Sequence, residues 1–76
     1  MKTDKQIDTL IGQVLKEERT RRGYSMEYVA VKLGVNKSTI SFWESGRNGM
    51  SAGALFKYCA VLNIAPSDVF RIVERR

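Results

Sequence analysis

Residues 25–47 read SMEYVAVKLGVNKSTISFWESGR, and within them two short helical patterns meet across a turn with room only for a tight corner. Ser25 stands where it can cap a helix whose apolar positions are Val29, Ala30 and Leu33. Gly34 follows, where a chain leaving a helix often needs a left-handed residue. The first helix ends there. Asn36 is a second N-cap candidate, and after it Ile40 and Trp43 stand three apart on one stripe, leaving Lys37, Ser38, Ser41 and Phe42 off it. The spacing predicts a helix-turn-helix whose second helix runs to about Ser45 and turns a mixed polar and aromatic face outward. Ala30 lies where two steeply crossing helices approach closely, so a larger side chain there would force them apart.

Working outward, residues 1–6 carry charge and no apolar period, which predicts a flexible N-terminal segment. A basic arm reaching a partner is the sharper reading of Lys2 and Lys5, and Asp4 weakens it. From Ile7, the residues Leu10, Ile11, Val14 and Leu15 complete a helical face, with Gly12 inside it costing about 1 kcal/mol relative to Ala. That helix is expected to end near Gly23, after Arg19, Thr20, Arg21 and Arg22, where positive charge suits the C-terminal end of a helix dipole. Tyr24, just before the Ser25 cap, is placed to staple onto Val29. Tyr28 and Lys32 lie off the Val29/Leu33 stripe and read as surface.

Beyond Trp43, the stretch Glu44 to Met50 contains Gly46, Asn48 and Gly49, so a loop follows the second helix. Ser51 then caps a helix with Leu55, Tyr58, Cys59 and Leu62 on one face, and Asn63 can take the left-handed exit. Pro66 suits the first turn of a last helix with Val69, Phe70 and Val73 inward. No strand pattern, repeat or linker appears. Residues 7–76 therefore read as one all-α domain of five helices.

A chain of 76 residues has room for one domain of modest stability. Thirteen Lys and Arg against eight Asp and Glu give a net charge of +5, which favours a polyanionic partner. With one Cys and no His, neither an internal disulfide nor a zinc site of the usual ligands can form. Cys59 reads as a small core residue, since no His exists to act as its base. No Gly-rich phosphate loop or carboxylate pair suggests an active site, so neither an enzyme nor a bound cofactor or metal is expected. The N-terminus lacks an apolar signal region and no stretch could span a bilayer, so a cytoplasmic protein without membrane contact is expected.

Leu15, Arg19, Ser25, Val29-Ala30, Gly34-Val35, Ser38-Thr39-Ile40-Ser41, Trp43-Glu44-Ser45-Gly46, Leu55 and Ala60-Val61-Leu62 together resemble the lambda-repressor-like, or Cro/XRE-type, helix-turn-helix DNA-binding family. The resemblance covers residues 10–70 and is most specific at the Trp43 to Gly46 run. It implies a compact five-helix domain whose second motif helix enters the major groove of double-stranded DNA while the first lies across the backbone. The family's base-reading positions fall on Lys37, Ser38, Ser41 and Phe42. Lys37 can donate to guanine O6 and N7 or contact a phosphate; the two serines discriminate little; Phe42 can lie against a thymine methyl unless a neighbouring helix covers it. Backbone contacts would come from Ser25, Lys32, Asn36, Thr39, Arg47 and Asn48.

Arg19 and Glu44 occupy the family's positions for an internal ion pair. Met26 departs from the family's common Gln, which bonds a phosphate and braces the first recognition residue; Lys37 must then be braced otherwise or left mobile. Relatives usually bind as homodimers on inverted repeats with half-sites about 34 Å apart. Phe56, Ile64, Val69, Ile72 and Val73 are the apolar residues of the last two helices offered for such an interface. Members include phage repressors, restriction-modification controllers and mobile-element regulators, and the residues do not choose among them. A sequence-specific transcriptional regulator is the leading expectation, repressing by occlusion or activating where an exposed face touches RNA polymerase. A DNA-binding antitoxin with a toxin partner and a protein-interaction module on the same scaffold are the alternatives.

Overall fold

Thr3 opens the first helix, earlier than the apolar period indicated. In the computed structural model, which describes residues 1–76, α1 spans Asp4–Arg21. The Thr3 hydroxyl accepts from the Gln6 N–H at 3.1 Å, and the Gln6 side chain accepts from the Thr3 N–H at 2.8 Å. This capping box holds the first turn in a segment read from its charges as flexible. Residues 4–6 are helix, and only residues 1–3 precede it.

Four further helices follow: α2 Met26–Leu33, α3 Lys37–Ser45, α4 Ala52–Leu62 and α5 Pro66–Arg75, with no strand. The Ser25 and Ser51 hydroxyls accept from the N–H groups of Tyr28 and Ala54, at 3.0 and 3.1 Å, as their positions foretold. Asn36 stands at the N-cap of α3, but its side chain makes no capping bond. Gly34 ends α2 at φ 68°, and the Val35 N–H reaches back to the Ala30 carbonyl at 3.0 Å. That reversal fits the corner between α2 and α3 into three residues, Gly34 to Asn36.

α1 runs along the molecule against α3, α4 and α5, while α2 packs on α3 and α4. Between them lie Val14, Leu15, Val29, Ala30, Ile40, Leu55, Tyr58, Cys59, Leu62, Val69 and Val73. The Cα radius of gyration is 11.3 Å, the value of about 11 Å expected for a globule of this length. Tyr24 packs partly against this core, and its ring lies 4.6 Å from that of Tyr28. The residue expected to staple onto Val29 thus has the Tyr28 ring as a neighbour.

α5 departs from its reading in two ways. Phe70 was expected inward but is 44% exposed, because Val69 and Val73 lie one above the other on the face packed against α1 and α4. Val69 and Val73 were offered as interface residues, yet at 0% and 5% exposure they belong to the core of one subunit. A dimer surface cannot include them.

Candidate nucleic-acid interface

The outward face of α3 depends on what holds its rear. Ile40 is fully buried, Trp43 is partly buried against the core, and Gly12 brings α1 into backbone contact with the end of α3. A Cβ on Gly12 would sit 2.5 Å from the Glu44 carbonyl oxygen. The glycine that weakens α1 on propensity is therefore what lets the two helices close.

Beside that crossing, Arg19 binds Glu44 through two nitrogens, Nε to Oε2 at 2.7 Å and Nη2 to Oε1 at 3.0 Å. Its Nη1 donates to the Tyr24 carbonyl at 2.7 Å. The expected ion pair is present and buried. A third member went unread: the Tyr58 hydroxyl of α4 donates to Glu44 Oε2. Burial first, then the bond to Glu44, pushes the Tyr58 phenol well above the ordinary tyrosine range, and the bond to Glu44 raises the Arg19 guanidinium. No buried side-chain nitrogen or oxygen lacks a partner. The sequence held a signal for Tyr58, since a tyrosine on a core stripe must find a partner for its hydroxyl.

The far end of α3 is held from α1. Lys5 donates to the Gly46 carbonyl at 2.6 Å, setting an ammonium at the negative end of the α3 dipole. Gly46, at φ 76°, packs so closely on Thr9 that a Cβ would clash with its backbone. The Asn48 N–H donates to the Phe42 carbonyl at 3.3 Å. The loop bearing Arg47 and Asn48 is thus tied to both α3 and α1. Lys5, in the segment expected to be flexible, has this structural task.

On the front, Lys37, Ser38 and Ser41 are exposed and Phe42 is half-buried, and their spacing places all four on neighbouring positions of α3. Lys37 is braced: its Nζ lies 3.2 Å from Oε2 of Glu27 on α2. Arg47 covers Phe42, with the guanidinium carbon 4.8 Å from the ring centroid. This neighbour is neither DNA nor another helix but the loop that follows α3. Around the face, Ser25, Lys32, Asn36, Arg47 and Asn48 are exposed and Thr39 is half-buried. Lys32 lies 5.5 Å over the Tyr28 ring. Ser25 and Asn36 are the N-cap residues of α2 and α3, Lys32 lies in the last turn of α2, Thr39 lies in the first turn of α3, and Arg47 and Asn48 follow its C-terminal end.

Of the apolar residues offered for a subunit interface, Phe56 is 65% exposed, while Ile64 and Ile72 are half-buried. Phe70 joins them as an exposed aromatic that the reading had placed inside. No cluster of three His, Cys, Asp or Glu residues is positioned to hold a metal ion, and no helix is long and apolar enough to cross a membrane.

The pattern of the helix-turn-helix family HTH_3 matches residues 15–69. The chain belongs to this Cro/XRE-type helix-turn-helix family. An uncharacterized transcriptional regulator in the ATPase CF(0) region of Rhodospirillum rubrum is 30% identical over 69 residues, which are 91% of this chain and 64% of that protein. The chain thus spans just under two thirds of that relative. Among solved structures, the restriction-modification controller protein C.AhdI from Aeromonas hydrophila has a TM-score of 0.77 at 32% identity, covering 82% of this chain and 94% of its own. SinR, a master regulator for biofilm formation solved in complex with DNA, has a TM-score of 0.72 at 36% identity, covering 79% of this chain and 97% of its own. The five-helix, lambda-repressor-like architecture read from the sequence is the fold that these helix-turn-helix proteins share.

Proposed function

We propose that this helix-turn-helix domain is a sequence-specific double-stranded DNA-binding transcriptional regulator that sets α3 into the major groove. The observation that carries the reading is the two-sidedness of α3. Its rear is locked by Ile40, Glu44 and the Gly12 crossing, while Lys37, Ser38, Ser41 and Phe42 stand together on the other side. A helix held rigidly from behind loses little freedom when its front docks, and its polar front carries donors of the kind base edges accept. Lys37 and Phe42 would do most of the discriminating, and Ser25, Lys32, Asn36, Thr39, Arg47 and Asn48 would contact the phosphate backbone. The net charge of +5 favours the same partner. SinR, 36% identical, was solved on DNA.

One domain offers few base contacts, so a homodimer on an inverted repeat follows, with Phe56, Phe70, Ile64 and Ile72 as the apolar residues available to join subunits. In that reading the protein works in the cytoplasm, and the exposed outer side of α2, with Val31, is left free for a polymerase contact. Selection of bound duplexes from a random pool tests the proposal. A symmetric consensus whose affinity falls steeply with salt is expected, and no enrichment together with a flat salt response would refute it.

A further inference from the structure

Glu27 is the one exposed carboxylate of the helix-turn-helix, since the other acidic residue of α2 and α3, Glu44, is buried. Glu27 sits in the first turn of α2, where the helix dipole and its own backbone N–H favour the ionised form. Across the turn its Oε2 lies 3.2 Å from Nζ of Lys37, the first residue of α3. A carboxylate beside the leading base-reading lysine is costly to bring against a polyanion, so its presence there needs a reason.

We propose that Glu27 is a specificity-determining residue, which, by pairing with Lys37, lowers affinity for arbitrary duplex more than for the cognate site. The inference rests on the DNA-binding reading above. An unpaired lysine at this position is drawn to any phosphate and strengthens binding to every sequence alike. Held by Glu27, the ammonium can reach a phosphate only by setting two anions against each other across it. A guanine edge is different: O6 and N7 are neutral acceptors, and an ammonium has three donors, so Lys37 can keep one bond to Glu27 and give the others to the base. The pair also narrows the range of Lys37 rotamers, so less freedom is lost when the base contact forms. Glu27 thus does through α2 what the residue at Met26 cannot do, since a thioether sulfur is only a weak acceptor and carries no charge.

The test uses duplexes selected by the wild-type protein and shuffled duplexes of equal length, measured with the wild type, Glu27→Gln, Lys37→Met and the double variant. Both side chains are exposed, so the variants keep the fold. Glu27→Gln is expected to raise affinity for shuffled duplex about two- to fivefold and to raise it less, or lower it, for the selected one. In the Lys37→Met background the same change should leave the ratio of the two affinities unaltered. An equal gain on both duplexes in the Lys37 background would overturn the proposal, as would a shift in the ratio that persists without Lys37. Failure of the wild type itself to bind either duplex would remove the DNA-binding reading beneath it, a result visible before Glu27 is changed.

Discussion

Tyr58 on α4 donates its hydroxyl hydrogen to the same Glu44 oxygen that Arg19 on α1 holds through Nε. Three helices therefore meet at one buried carboxylate behind α3, and the face that would meet DNA is oriented by all of them. The arrangement is fully satisfied, which makes removal of a member more damaging than the net worth of the bonds suggests.

Glu44→Ala strands a buried guanidinium and a buried phenol, and should cost about 3–5 kcal/mol. Tyr58→Phe removes one bond to a charged group while Arg19 and Glu44 stay paired, and should cost about 1–3 kcal/mol. At about 4–8 °C per kcal/mol for a domain of this size, thermal unfolding separates the two. Equal melting temperatures for both variants would contradict this account of the network.

Alkaline titration should expose Tyr58. An unfolded tyrosine loses its proton near pH 10, whereas burial and Glu44 hold the folded Tyr58 well above its usual value. Above about pH 10 the unfolded chain binds fewer protons than the native one, so stability falls as pH rises toward the folded value; below about pH 10 the contribution is constant. Denaturant midpoints measured across this range should decline in the wild type and decline less in Tyr58→Phe.

Gly12→Ala inverts an expectation based on propensity alone. In a free helix it would gain about 1 kcal/mol. Here the added methyl would stand 2.5 Å from the Glu44 carbonyl oxygen, against backbone that cannot step aside without moving α3. A net loss of about 1–3 kcal/mol is expected, together with weaker DNA binding as the reading helix shifts.

Phe42→Ala should weaken binding to the selected site more than to shuffled duplex, with melting temperature little changed. Because Arg47 lies over the Phe42 ring, part of that loss should come through Arg47. The double variant Phe42→Ala with Arg47→Ala should then lose less affinity than the two single losses together. Strict additivity would mean that the stacking has no part in binding.

Subunit association offers a contrast between neighbours on α5. Phe70→Ser, and Phe56→Ser on α4, should shift the molecule toward monomer in sedimentation equilibrium without lowering monomer stability, because both rings are exposed. Val69→Ala should do the reverse, costing about 2 kcal/mol of fold stability through a core cavity.

Much of this was legible because it is local. Ser25, Ser51, Gly34, Asn63 and Pro66 act within one turn of their own position, so their chemistry marks where helices α2, α4 and α5 begin or end, and the structure uses each as read. Thr3 and Gln6 carried the same kind of signal, a capping box, and the charges around them hid it. The Arg19–Glu44 pair came from family likeness, since nothing in a spacing of 25 residues joins the two.

What remained illegible depends on which helix lies against which. Periodicity names the inward stripe of α5 only to within a residue, and packing on α1 and α4 chose Val69 and Val73 over Phe70. Gly12 looked like a weakness until α3 crossed it, and Tyr58 looked like bulk until its hydroxyl met Glu44. Lys37 gained Glu27 across the turn, and Phe42 gained Arg47, through approaches that no one-dimensional pattern encodes. Helix ends follow from bonds between residues a few places apart, which the order of amino acids states directly. The character of the outward face of α3 follows from contacts between distant segments, which exist only once the helices have packed.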